Sequence, residues 1–237
     1  MSVKRICIIP ARGGSKRIPR KNVKPFLGRP IIEYSIRAAL DSDCFDEVMV
    51  STDDPEIAEV ARQAGAAIPF MRSAENSGDH AMTAPVVEEV LHRYSESGHT
   101  IELGCCVYAT SVFVTPELFQ KGLNLLDQRR DAPSVVSVTR FSFPVLRGLQ
   151  MNEQSEVDFV WPEHKNTRSQ DLAPCFHDAA QFYWFRSEDF LAQKNLFMPG
   201  SLGLEIPESE IQDIDNEVDW KLAELKFKLK YGEKTDE

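Results

Sequence analysis

The chain has 237 residues, with 27 lysines and arginines against 37 aspartates and glutamates, a net charge of −10, and 42% hydrophobic residues. That is enough for one α/β domain with a sizeable core, and the mix is that of a soluble globular protein, not a disordered, fibrous or membrane one. The acidic total argues against broad nucleic-acid binding. The one apolar run near the start, Ile6-Cys7-Ile8-Ile9, is cut by Pro10 and too short for a secretory signal or a membrane span, so the sequence reads as cytoplasmic with no membrane partner.

In chain order, residues 5–11 (RICIIPA) read as a buried first strand, followed by a glycine-rich basic loop to Arg29. Pro30 suits the first turn of a helix through Leu40, and 47–52 (EVMVST) reads as a second strand. Asp54-Pro55 is a cap-plus-proline start for a helix that stops at Gly65. A short strand near Ile68, a helix over 85–94, a buried strand over 103–108, a helix from Thr115-Pro116 and a strand over 134–139 follow. This alternation predicts an α/β three-layer sandwich, Rossmann-like, around a mostly parallel sheet. The rhythm breaks after Arg140, so residues 141–178 read as a lobe inserted into a single domain spanning 1–237. A strand over 179–185, a short helix over 187–194 and a long helix over 215–230 close the chain.

Charge is unevenly spread. Residues 1–29 hold nine basic side chains and no acidic one, leaving 18 basic residues against all 37 acidic ones elsewhere. Five cysteines, odd in number and without CxxC spacing, read as reduced thiols, most of them buried.

The loop after the first strand, Ala11 to Asn22, reads ARGGSKRIPRKN. In open α/β sheets ligands sit outside the carboxyl ends of strands, which is where this loop lies. Gly13 and Gly14 let backbone amides approach a phosphate, Arg12, Lys16 and Lys21 supply charge, and Ser15 and Asn22 supply neutral hydrogen bonds. Neither GxxxxGK[ST] nor GxGxxG spacing is present. A solvated basic loop is the plainer alternative.

Near the carboxyl end, Gln212-Asp213-Ile214-Asp215 precedes the last helix. Carboxylates at i and i+2 of an extended chain point to one side, and hard oxygen ligands suit magnesium with a triphosphate. A helix cap is the competing role for Asp215. In the lobe, Arg168 can pair with a sugar carboxylate, while Gln170, Asp171, His177 and Gln181 can hydrogen-bond hydroxyl or acylamino groups.

The loop resembles the signature of the sialic-acid-type cytidylyltransferases: Arg, Gly-Gly, Ser-Lys, Ile-Pro and Lys-Asn fall in that family's order. The resemblance implies a nucleotide-diphospho-sugar transferase type of fold. It also implies CTP binding by Ala11, Arg12, Gly13, Gly14, Ser15, Lys16, Lys21 and Asn22, with Arg12, Lys21 and Asp213 catalytic. Arg72 after the third strand, with Asp79 and Thr83 of DHAMT, would support the nucleotide. Asp213 and Asp215 would hold Mg²⁺. Where the N-acetylneuraminate and Kdo branches carry a Gln-Pro-Thr-Ser-Pro-Leu-Arg-like stretch, this chain has Tyr108-Ala109-Thr110-Ser111-Val112-Phe113-Val114. The segment from His164 to Ala179 is instead similar to the pseudaminic acid branch, with its H-x-N-T-R-x-Q-D-L…H-D-A pattern. On that resemblance Tyr108, Thr110, Ser111, Arg168, Gln170, Asp171, His177, Asp178 and Gln181 would face the sugar, and the lobe would make a homodimer. The implied reaction joins CMP from CTP to the anomeric hydroxyl of a nonulosonic acid. Rival readings are the same chemistry on N-acetylneuraminate, legionaminate or Kdo, and a non-catalytic nucleotide-binding regulator.

Overall fold

The computed structural model describes residues 3–78 and 81–232. Its centre is a six-stranded sheet in the order β10-β6-β9-β5-β1-β4, where β1 is Arg5–Pro10, β4 Glu47–Ser51, β5 Leu103–Val107, β6 Ser134–Arg140, β9 Phe176–Arg186 and β10 Leu202–Glu205. β1 pairs in parallel with both β4 and β5, and β10 with β6. Ile6, Cys7, Ile8 and Ile9 are fully buried, as expected for a strand covered on both faces.

The exception to parallel order is β9, which runs antiparallel to β5 and β6. The reason is topological. The chain leaves the sheet at the carboxyl end of β6 and re-enters at the same edge without a crossover helix, so the returning strand must point back. One face carries α1 (Ile31–Asp41), α2 (Pro55–Gln63) and α4 (Pro116–Gln128) around Ile36, Ala61 and Phe119. The other carries α3 (Thr83–Glu96) and α5 (Ser187–Gln193) around Val87, Leu91 and Phe190.

A third cluster positions the site. Ile18 from the basic loop and Ile214 from the acidic segment pack with Phe26, Trp220 and Phe227, the last two from α6 (Glu217–Tyr231). Ile18 and Ile214 are fully buried, and each stabilises its loop by about 2 kcal/mol on a transfer scale.

Local differences from the sequence reading have local causes. The strand near Ile68 is a single bridge, Met49 to Ala67. The last helix starts at Glu217 because Asn216, not Asp215, caps it: the Asn216 side chain accepts from the Val218 and Asp219 amides, and Asp219 answers in a capping box. β2 (Pro25–Phe26) and β3 (Arg29–Pro30) form a small hairpin. Its turn holds Leu27 and Gly28 at φ 47° and 88°, and leucine there hides the turn from a reading based on glycine and asparagine.

Between β6 and β9 the chain makes three short 3₁₀ turns and one hairpin, β7 (Leu149–Met151) with β8 (Val157–Phe159). Phe143, Leu149, Met151 and Val157 are all more than half exposed here. Among the described residues no helix is long and apolar enough to cross a membrane.

Candidate active site at the carboxyl end of the sheet

The buried first strand delivers the basic loop to the sheet's carboxyl edge, where Ala11 N donates to Ser51 O at 2.9 Å. The loop is pinned from two sides. Gly13 N donates to Asp53 Oδ1 (3.0 Å), and Asn22, itself buried, donates through Nδ2 to Arg12 O (2.9 Å). A Cβ on Gly13 would lie 2.6 Å from Asp54 Oδ2, whereas one on Gly14 would meet nothing within 4 Å. Gly13 is therefore required by close packing, and Gly14 keeps the backbone bare where the loop opens.

The nine cations of the first 29 residues divide by what surrounds them. Arg12, Lys16, Arg17 and Lys21 line a cleft of about 340 Å³ together with Ser15, Asn22 and Asp215. Arg17 Nη2 pairs with Asp215 Oδ1 at 2.7 Å, and Lys21 Nζ donates to Ile214 O at 2.7 Å. Burial lowers the Lys21 pKa against the opposing pull of Asp215 and Asp213. Arg20 sits outside the cleft in left-handed geometry (φ 56°), held by Asp54 and Glu56. Arg20 in turn holds the Asp54 carboxyl down at about 2. Lys24 pairs with Glu217 at 2.7 Å, and Lys4 with Glu102 at 2.9 Å. Composition could not separate these roles, and the sequence reading missed Arg17.

Asp213 and Asp215 stand opposite the loop. Lys21 holds Ile214 between them, and the buried Gln181 side chain holds the segment from the sheet through Nε2 to Glu210 O at 2.6 Å. Partial desolvation, then the Asp215 charge, raises the Asp213 pKa. Among the described residues no group of three or more acidic, histidine or cysteine side chains converges. Two carboxylates are hard oxygen donors of the kind magnesium takes alongside phosphate and water oxygens, and Asp215 is paired with Arg17 here.

Arg72 is buried against β4, its Nε donating to Ser51 Oγ at 3.0 Å and its guanidinium to Ser51 O. Burial lowers its pKa, with Asp53 and Glu89 opposing. Thr83 opens α3; Asp79 lies outside the described residues.

The residues read as facing a sugar fall into three groups. Tyr108, Thr110, Ser111 and Gln181 gather where β5 ends: Tyr108 N and Ser111 Oγ both donate to Gln181 O, at 3.1 and 3.0 Å. Ser111 and Gln181 are buried. His177 and Asp178 sit at the start of β9, the His177 ring tilted at 57° against Phe141 with centroids 4.8 Å apart. Arg168, Gln170 and Asp171 lie on the lobe around the turn Ser169–Asp171. Of these three only Gln170 lines a second cleft, of about 560 Å³, between Phe141, Phe143, Pro174 and Glu208. The structure thus brings Arg12, Ser15, Lys16, Lys21 and Asn22 into one cleft, leaves Arg72 and Thr83 outside its lining, and leaves the residues read as sugar-facing dispersed.

Fold and site together are those of a nucleotidyltransferase. A cytidylyltransferase family model matches residues 6–223. The pseudaminic acid cytidylyltransferase of Campylobacter jejuni is 38% identical over 229 residues, covering 97% of this chain and 98% of that one. The CMP-N,N'-diacetyllegionaminic acid synthase of Legionella pneumophila is 30% identical, covering 94% and 96%. Among solved structures, a CMP:2-keto-3-deoxy-manno-octonic acid synthetase complexed with CTP shares the fold at a TM-score of 0.69 and 18% identity, covering 96% and 99%. The chain belongs to the cytidylyltransferase family.

Proposed function

We propose that this chain transfers CMP from CTP to the anomeric hydroxyl of pseudaminic acid, releasing pyrophosphate. The observation that carries the reading is the cleft in which Arg12, Lys16, Arg17 and Lys21 face Asp215 at the sheet's carboxyl edge, in a chain this similar to pseudaminic acid cytidylyltransferases. The sugar hydroxyl forms a bond to the α-phosphorus of CTP as the bond to the β-phosphate oxygen breaks. Arg12 and Lys21, with Lys16 and Arg17, offset charge on the triphosphate and the departing pyrophosphate, the main catalytic contribution in such transfers. The bare backbone at Gly13 and Gly14 gives amide access to phosphate oxygens.

Asp213 and Asp215 would hold Mg²⁺, which when bound supplies further neutralisation of the triphosphate. Such an ion would offset the Asp215 charge that, after burial, raises the Asp213 pKa. In this reading Arg72 and Thr83 support the nucleotide. Tyr108, Thr110, Ser111, Gln181 and Asp178 form the floor beneath the sugar.

The lobe completes the sugar side by pairing two copies. Exposed Leu149, Met151 and Val157 on its hairpin form an apolar patch suited to burial against a second chain, and Arg168, Gln170 and Asp171 extend from that same lobe. Sizing at working concentration checks this: a fully active monomer would refute it. For the reaction, CTP and Mg²⁺ are incubated with pseudaminic, N,N'-diacetyllegionaminic, N-acetylneuraminic or Kdo acceptors while pyrophosphate is measured. Turnover highest with pseudaminic acid is the expected result. CTP binding without release for any acceptor would make the chain a nucleotide-binding regulator instead.

A further inference from the structure

Tyr183 lies in the apolar run FYWF and reads in sequence as plain core; in the structure its ring is 1% exposed. Its hydroxyl, however, donates to Asp178 Oδ2 at 2.7 Å. The Tyr183 ring packs edge-on against Tyr108 with centroids 5.5 Å apart, which fixes the direction of its hydroxyl. A carboxylate can only accept, so the one hydrogen of that hydroxyl is committed to Asp178.

Asp178 is exposed and half committed. Its Oδ1 accepts from Ala180 N at 2.8 Å, leaving further lone pairs on both oxygens for an outside donor. Ala180 is held in left-handed geometry at φ 51°, and the β6–β9 register shifts between Val136 and Val138. A non-glycine residue in that conformation costs on the order of 1 kcal/mol and persists where its surroundings hold it there. Because β9 runs antiparallel to β6, its first residues lie at the carboxyl edge of the sheet, paired with the end of β6. A strained bulge, an outward-facing carboxylate and a buried hydroxyl anchor therefore meet at one place.

We propose that Tyr183 is a positioning residue for the acceptor sugar, holding the Asp178 carboxylate through its buried hydroxyl so that Asp178 accepts hydrogen bonds from sugar hydroxyl or acylamino groups. This rests on the reading of Asp178 as a sugar contact.

The test is a double-mutant cycle of Tyr183→Phe and Asp178→Ala, assayed with CTP and pseudaminic acid. Tyr183→Phe keeps the buried ring and removes only the oxygen. It should lower kcat/KM for the sugar about 10-fold, the range for one hydrogen bond to a charged group, with KM for CTP unchanged. In the Asp178→Ala background the same substitution should have no further effect. Independent, additive losses, or unaltered sugar kinetics in Tyr183→Phe, would overturn the positioning role while leaving Asp178 at the sugar. Wild-type sugar kinetics in Asp178→Ala would overturn both readings. Should Tyr183→Phe fail to fold, 3-fluorotyrosine at position 183 keeps the hydroxyl as a stronger donor, and it must shift the sugar constants with KM for CTP unchanged for the proposal to stand.

Discussion

The two ends of the carboxyl edge are built differently. Around β1 the basic loop is cross-linked to α2 through Asp53 and Asp54, to α6 through Lys24 and Glu217, and to the acidic segment through Lys21 and Arg17. Beyond β6 the lobe leaves Phe143, Leu149, Met151 and Val157 in solvent. A highly charged ligand demands donors already in place, since ordering them at the moment of binding costs affinity. A polyhydroxylated acceptor can be met by groups assembled later, including those of a second copy. In the proposed reading, the nucleotide half of the site is built within one chain and the sugar half draws on a second.

Substitutions can break each half separately. The largest effect belongs to Arg12→Ala or Asp213→Asn, expected to cost about 10³-fold in kcat with the melting temperature unchanged; near-normal turnover in either variant would sink the assignment of the cleft. Gly13→Ala should come next. Its methyl group would strike Asp54 Oδ2, so loop and carboxylate must separate, and KM for CTP should rise by about 10²-fold. Sugar KM staying level in the same titration is what marks the damage as confined to the nucleotide half.

Met151→Glu acts on the other half. A charge on the exposed hairpin should split the proposed dimer and raise sugar KM about 10-fold, with CTP binding by calorimetry as the control that must not move.

The smallest effect is that of Asp54→Asn. Arg20 keeps the Asp54 pKa at about 2, below its unfolded value, so this pair stabilises the fold above about pH 4 and the contribution fades as pH falls towards 2. Arg20 is 40% exposed, which limits the loss to about 1 kcal/mol, or roughly 2–4 °C in a chain of this length. Acid titration by circular dichroism should show the variant and the parent converging below pH 3; a gap that persists at pH 2 would contradict the origin assigned to it.

The loop that lines the cleft after β1 was legible in the sequence because glycine, charge and a preceding buried strand are local signals. The division of labour among the cations was not. Arg17 and Arg20 look alike in sequence, and only the tertiary placement of Asp215 and Asp54 separates a cleft residue from a clasp. The segment Asp213-Ile214-Asp215-Asn216 offers three side chains able to cap a helix, and the choice of Asn216 depended on Asp219 completing the capping box. The direction of β9 was hidden for a different reason. Apolar runs report burial but not orientation, and orientation here follows from a lobe that returns to the edge it left. Tyr183 was concealed among phenylalanine and tryptophan because one hydroxyl does not alter an apolar pattern. β10 was missed because LGLE is short and only half-covered.

The cluster that joins Ile18, Ile214 and α6 has a consequence for how the protein comes into being. Lys21 and Lys24 are synthesised well before their partners Ile214 and Glu217, which lie 193 positions further along. Contacts of that span are slow to close. The cleft after β1 therefore cannot acquire its acidic wall until α6 has docked.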